Sequence, residues 1–395
     1  MWRILSNRSI QTALILITYI VFASYIPFKV QQLFYTVSLI IKDILILIMP
    51  LTICAFIAKT ISAFKKKAIL FVVFLIAFEA ISNFVAVWYA YGVAFLVAEN
   101  VAIIEIAPSL EKFNALFYLP IAKPNWWSSD KGAMLGIIIG IIGAFNSSVT
   151  LGKAIDISYK YMEQLLVRVF ARLIPIFILG FAAQMYQMNL LSDVINNYAS
   201  LISELLLFLL LYLLLLFIIG SILGPGGSIT NLFLHIKNLL PAGGIALTSG
   251  CSLSTMPWTI EGTSKNLQNK ELAKLIIPAT TNIQQIGDCI VNAFLCFLIY
   301  RNFFGLNPDL LTWVQFSVVF VLARFVTAAI LGGSIFIMLP IYETYLNFNP
   351  KMIAIILALN VVLDPIVTSC NVLANGALCR VFEIVWNKCS PKVKK

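Results

Sequence analysis

The chain has 395 residues, 61% of them hydrophobic and 11% charged, and its mean hydropathy is +0.96. Soluble domains carry about a quarter charged residues, so the composition excludes an ordinary soluble protein and implies a polytopic membrane protein. The net charge of +10 is no sign of a nucleic-acid partner, because the basic residues cluster in short loops and at the ends, where they set topology.

The inventory of reactive residues narrows the chemistry further. Seven cysteines, at positions 54, 251, 289, 296, 370, 379 and 389, form no C-x-x-C pair, so neither a zinc site nor a disulfide framework is indicated. His235 is the only histidine, which excludes a three-histidine metal site. No G-x-x-x-x-G-K-[ST] phosphate loop occurs, and no cofactor is expected. An intramembrane enzyme would need a nucleophile–base pair or a metal cluster, and the sequence offers neither.

Taken in order, Met1–Ser9 is short and basic, shows no cleavable signal pattern, and leads into a first span at about 10–28. A second span, about 33–58, ends before Lys59, Lys65, Lys66 and Lys67. That cluster marks the cytoplasmic side, and Arg3, Arg8, Lys388, Lys392, Lys394 and Lys395 place both termini there. The third span, about 68–97, carries Glu79, Ser82 and Asn83. Residues 98–131 are irregular and contain the Trp126-Trp127 pair, an interfacial anchor. Further spans follow at about 132–150, 164–187 and 199–223.

The pattern then changes. Residues 238–262 are too polar and too broken for a lipid-facing helix, yet they lie between apolar spans. Such a segment survives at membrane depth only when buried in protein or lining a cavity. It reads as a re-entrant hairpin with its tip near Ser249–Thr255. Residues 272–300 form a span unwound at Thr280-Thr281-Asn282-Ile283-Gln284-Gln285, with Asp288 just beyond. Residues 311–347 read as a second hairpin, broken at Gly332-Gly333-Ser334 and Pro340. The last helix, about 351–387, carries Asn360, Asp364, Thr368, Asn371 and Asn375 at spacings of 4, 4, 3 and 4. That spacing puts them on one face. A charge at mid-bilayer costs at least ~3 kcal/mol, so this face turns to protein or to water. A solute or ion site and plain helix–helix hydrogen bonding both fit the stripe. Paired interrupted segments beside it point to a transporter site.

These residues resemble the dicarboxylate/amino acid:cation symporter family, the glutamate transporter homologues, over nearly the whole chain. The resemblance rests on Ile48-Met49-Pro50, on Leu240-Pro241-Ala242 (the helix-six end), on Ser252-Leu253-Ser254-Thr255-Met256-Pro257 (the first hairpin tip), on Asn282, and on Leu363-Asp364, Thr368, Asn371 and Gly376. It implies an all-α polytopic protein of eight transmembrane helices and two re-entrant hairpins, with inverted repeats and an elevator mechanism. It also implies a homotrimer. Residues 1–67 (spans one and two) and 98–192 (spans four and five) would be the scaffold. Residues 68–97 (span three) and 193–395 (span six, hairpin 238–262, span 272–300, hairpin 311–347 and span 351–387) would be the transport domain. By resemblance, Asp364 binds the substrate amino group and Asn371 its α-carboxylate, with Thr368 assisting. Cys251 and Ser252 close over the carboxylate, and Gly333 and Ser334 belong to the gate.

The departures from the family pattern are informative. The arginine that acidic-substrate members carry three residues after the aspartate is here Val367. A buried, unpaired substrate carboxylate costs several kcal/mol, which predicts a neutral amino acid. The three sodium-site carboxylates fall at Gln284, Asn360 and Asn375. Amide oxygens at Asn282, Asn360 and Asn375 can still ligate sodium, but three lost charges weaken a desolvated cation site greatly. A proton is the expected coupling ion in place of sodium, with Asp288 first and Glu79 and Asp364 next as carriers, and exchange stays open. Membrane lipid and an amino acid substrate are the expected partners. The residue usage suggests a bacterial inner membrane. Two other readings stand beside this one: a sodium-coupled symporter of dicarboxylates or acidic amino acids, and a channel or sensor on the same fold.

Overall fold

The computed structural model describes residues 18, 19, 21–62, 69–98, 113–119, 127, 129–145, 149–187, 190–222, 227–281, 283–327 and 334–389. Among the described residues all regular structure is helical. The first-span expectation at 10–17, the gate glycines Gly332 and Gly333, and Asn282 lie outside them.

In chain order the helices are α1 (Phe28–Ser62), α2 (Ile69–Val97), α3 (Ser129–Phe145), α4 (Val149–Gln164), a π-turn at Leu165–Phe170, α5 (Ala171–Gln187) and α6 (Leu190–Ile222). Then come α7 (Ile229–Ser249), α8 (Ser252–Asn266), α9 (Lys270–Thr280), α10 (Ile286–Phe304), α11 (Leu310–Thr327), α12 (Ser334–Leu346) and α13 (Pro350–Cys389). Among the described residues four helical stretches are long and apolar enough to cross a membrane: Val73–Val97, Leu201–Ile222, Ile286–Phe304 and Pro350–Cys389. Two bent pairs pass the same test together, Phe28–Ile44 with Leu47–Lys59 at 44° and Val149–Phe170 with Pro175–Gln184 at 53°. The first bend falls four residues before Pro50, where the proline ring meets the i−4 carbonyl and the missing N–H opens the ladder. The second falls between the π-turn and Pro175, the other recognised causes of a kink.

Three sequence expectations shift. The first hairpin is longer than 238–262: its arms are α7 and α8, spanning 229–266. Leu240-Pro241-Ala242 accordingly sits within the first arm and not at the end of helix six. Pro340 lies inside α12 and does not break it. Helices tolerate such a proline at membrane depth when neighbours satisfy the freed carbonyl.

The chain divides into two compact units. The first comprises residues 1–73, 91–201 and 292–362. Here α3 lies against α1 through Gly132, Gly136, Gly140 and Gly143. A Cβ on Gly136 would stand 2.7 Å from the Cys54 carbonyl oxygen, and one on Gly140 2.7 Å from Ile61 Cβ. Only residues without side chains allow backbones this close. Ser38 of α1 donates to the Phe177 carbonyl of α5 at 2.8 Å. Lys42 Nζ lies 2.6 Å from Glu343 Oε1, which pins α12 to α1.

The second unit comprises residues 74–90, 202–291 and 363–395. Its hairpin turns at Gly250, whose φ of 59° is the left-handed conformation that suits glycine at a helix C-terminus. Gly250 N–H closes on the Ala246 carbonyl at 2.8 Å. The hairpin base is tied by Asn238 Nδ2 to Asn266 Oδ1 at 2.8 Å, and by Asn266 Nδ2 to the His235 carbonyl at 3.0 Å. The His235 ring sits 2.7 Å from Ser221 Oγ. Ala242 and Ala246 of α7 pack on Val372 of α13, and Ser369 Oγ donates to the Gly243 carbonyl at 2.9 Å. Farther along α13, the Glu383 carboxylate accepts from Gln268 N–H at 3.1 Å and Asn269 N–H at 2.8 Å, just past the hairpin.

The close α1–α3 seam makes a stability prediction. Gly136→Ala forces a Cβ against backbone that has no side chain to move aside, an overpacking of about 1–3 kcal/mol. The melting temperature of the purified protein should fall by several degrees. Gly152→Ala, where an added Cβ meets nothing within 4 Å, should leave it unchanged or raise it.

Candidate functional site

The site of the second unit is built on the interruption between α9 and α10. α9 ends at Thr280 and α10 begins at Ile286. The intervening backbone turns tightly: Ile283 and Gln284 N–H groups both close on the Thr280 carbonyl at 2.8 Å. Further partners come from α2 and α13. Asn83 of α2 donates from Nδ2 to the Ile283 carbonyl at 2.9 Å and accepts on Oδ1 from Gln285 N–H at 3.2 Å. Asn371 of α13 accepts on Oδ1 from Gly287 N–H at 2.8 Å and Asp288 N–H at 3.3 Å. It therefore caps the first turn of α10 from another helix, meeting donors that every helix N-terminus leaves open. Its Nδ2 donates to Asp288 Oδ2 at 2.8 Å. One turn farther along α13, Asn375 Oδ1 accepts from Thr280 Oγ1 at 2.7 Å.

Gly287 is required by this docking. A Cβ there would lie 2.7 Å from the Val367 carbonyl and 3.0 Å from Asn371 Oδ1. Between α13, the break and the hairpin runs a narrow polar crevice lined by Ser252, Thr259, Thr281, Asn371, Val372 and Asn375. Five of these six carry a hydroxyl or an amide, so the crevice offers neutral donors and acceptors.

Of the residues singled out from the sequence, Ser252, Asn371 and Asn375 meet at this crevice. Asp288 joins them through Asn371. Val367 and Thr368 are buried on α13, and Asp364 is half-buried one turn earlier. Cys251 is half-buried at the hairpin turn, just before α8. Glu79 is buried on α2, and its Oε2 has no partner among the described residues; Gln284 is buried at the break with neither Oε1 nor Nε2 partnered among them. Asn360 bonds the Ile356 carbonyl of its own helix at 2.8 Å and belongs to the first unit, as does Ser334 at the start of α12. Gly333 and Asn282 lie outside the described residues.

The regular stripe on α13 is only part of the arrangement. From Cys370 to Arg380 every residue except Leu373 is buried, so in this stretch the helix has no lipid face to set against a polar one. Sequence reasoning did not assign Asn83, Thr280, Thr281 or Thr259 to the site. A signal for Asn83 was its place four residues after Glu79. For Thr259 it was the run Thr255, Thr259, Thr263, one residue per helical turn and all buried.

Helical structure throughout the described regular elements, several candidate spans and a buried polar site at a helix interruption are what a membrane carrier requires. The chain belongs to the sodium:dicarboxylate symporter family, whose family model matches residues 9–383. Members of that family are transporters and not enzymes, and the chain is accordingly a multi-pass membrane protein of that class. No curated protein matches the chain.

The cap on α10 can be tested directly. Asn371→Ala removes acceptors for two amides, each bond worth about 1 kcal/mol. Hydrogen exchange at 286–289 should rise severalfold while exchange in α3, part of the other unit, stays as it was.

Proposed function

We propose that the protein is a secondary active transporter of a small neutral amino acid, driven by protons or by exchange and not by sodium at the family's usual positions. One observation carries the choice of substrate. Among the described residues of the second unit the only buried cation is Arg380, and its Nη1 donates to Glu383. From residue 364 to residue 380 along α13 is about 24 Å at 1.5 Å per residue. A substrate side-chain carboxylate beside Asp364 would meet no buried cation among the described residues of this unit, and Val367 adds an apolar neighbour there. A zwitterion asks for less: one anion for its amino group and neutral donors for its carboxylate. Asp364 suits the first need, and Thr368, Asn371, Cys251 and Ser252 suit the second. The gate would be the Gly333–Ser334 segment.

The coupling reading draws on Glu79. An intramembrane carboxyl is by default a functional-site candidate, and proton relay is one such function. Glu79 Oε2, Ser82 Oγ and both polar atoms of Gln284 are buried without partners among the described residues, whereas Asp288 Oδ2 is engaged by Asn371. We therefore rank Glu79 ahead of Asp288 as the carrier. In the proposed cycle the scaffold of residues 1–67 and 98–192 holds a homotrimer in a bacterial inner membrane, with both termini cytoplasmic. Residues 68–97 and 193–395 carry the solute as an elevator.

Uptake of labelled neutral amino acids into proteoliposomes tests this. An inward proton gradient should drive accumulation and a sodium gradient should not. Glu79→Gln should lower gradient-driven uptake at least tenfold while leaving exchange, and Asp288→Asn should keep the pH response. Accumulation driven by sodium would overturn the coupling, and passive, non-saturating flux would favour a channel.

Selectivity gives a separate prediction. Val367→Arg supplies the missing cation beside Asp364. Competition by aspartate or glutamate should then strengthen by at least tenfold relative to neutral amino acids, and an unchanged profile would count against Val367 as the selectivity position.

A further inference from the structure

A break in a helix at membrane depth frees backbone groups that no water reaches. A carbonyl so freed takes a side-chain donor, a bound water or a cation. At the α9–α10 interruption the Ile283 carbonyl takes Asn83 Nδ2 at 2.9 Å. The Gln285 N–H, two residues on, donates to the other end of the same amide at 3.2 Å. One side chain thus holds both sides of Gln284, from a helix 200 residues away in sequence. Asn83 is fully buried. Its orientation is fixed by the pairing itself, since turning the amide over would set acceptor against acceptor and donor against donor.

We propose that Asn83 is a positioning residue that stands in for a coupling cation. Its NH2 group supplies to the Ile283 carbonyl the positive end that a bound monovalent cation would otherwise supply, so the interruption keeps its shape with no ion present. The inference rests on the sodium-independent reading above and gives it a structural cause. The chemistry is suited to the task. A primary amide is neutral and needs no counter-charge. It is also directional, and it is delivered by the fold of α2 rather than by the concentration of an ion. A cation released in every cycle would leave the carbonyl open in every cycle; a covalently held amide does not. Among the described residues the titratable groups around the middle of α2 include Glu79, one turn before Asn83, and Cys379 of α13, which lies within electrostatic range of Glu79. Neither bonds the Asn83 amide, so its two bonds do not require a change of protonation.

Hydrogen exchange of the 281–288 amides in the purified full-length protein tests the proposal, read in sodium chloride and in choline chloride of equal ionic strength. Wild-type protection should be the same in both salts. Asn83→Ala should raise exchange about thirtyfold in both, the change expected for two lost bonds of about 1 kcal/mol each. Asn83→Asp keeps the acceptor for Gln285 but replaces the donor with a second anionic oxygen. It should be open in choline, regain protection in sodium, and melt at a higher temperature in sodium than in choline. Wild-type protection that depends on sodium would overturn the proposal, as would an Asn83→Asp variant indifferent to the salt. The failure of the coupling reading looks different: sodium-driven uptake by a wild type equally protected in both salts would reject that reading and still support Asn83 in this role.

Discussion

Everything in the second unit answers to one constraint: backbone groups freed inside an apolar surround must be paired within the protein. The segment between Thr280 and Ile286 breaks a helix that is otherwise hydrophobic, and an unpaired group there costs several kcal/mol. The pairing is divided among three sources. The segment's own N–H groups fold back on the Thr280 carbonyl. Asn83 holds the middle, and Asn371 caps the helix that resumes. The polar residues of α2 and α13 are thus first a scaffold for an irregular backbone, and the site inherits its geometry from that task.

The same logic places the hairpin. α7 and α8 run as a pair because Gly250 can adopt a left-handed turn, and their base is fixed by Asn238, Asn266 and the Glu383 carboxylate. Ala242, Ala246 and Gly243 bring α7 close to α13, so that Ser252, at the start of α8, reaches the crevice shared with Asn371 and Asn375. Small residues and buried amides replace, within this protein, the hydrophobic drive that lipid cannot supply between helices.

Charge is used sparingly. Buried Arg380 and Glu383 are joined to each other at one end of α13, while the crevice itself is lined by hydroxyls, amides and a valine. A crevice of neutral dipoles suits a solute without net charge. This is the physical ground for the proposed substrate class within a family of cation-coupled symporters of dicarboxylates and amino acids.

The sequence by itself determined the class of the fold and the polar positions. Composition excluded a soluble protein, the five polar residues among 280–285 located the interruption, and the spacing of Asn360, Asp364, Thr368, Asn371 and Asn375 gave their shared face. These are local properties, carried by hydropathy and by helical period. What only the tertiary structure decided is which of those groups answer one another. Asn360 turns back on its own helix, Asn371 caps α10, and Asn83, unassigned in the sequence, spans the break. Pro340 stays inside a helix and Pro241 lies within a hairpin arm, although proline reads as a breaker in sequence. The reason is common to all of these. Whether a polar group is satisfied, and whether a proline is tolerated, depends on the donor or acceptor that a distant segment brings to it, and the spacing along one chain segment holds no record of that partner.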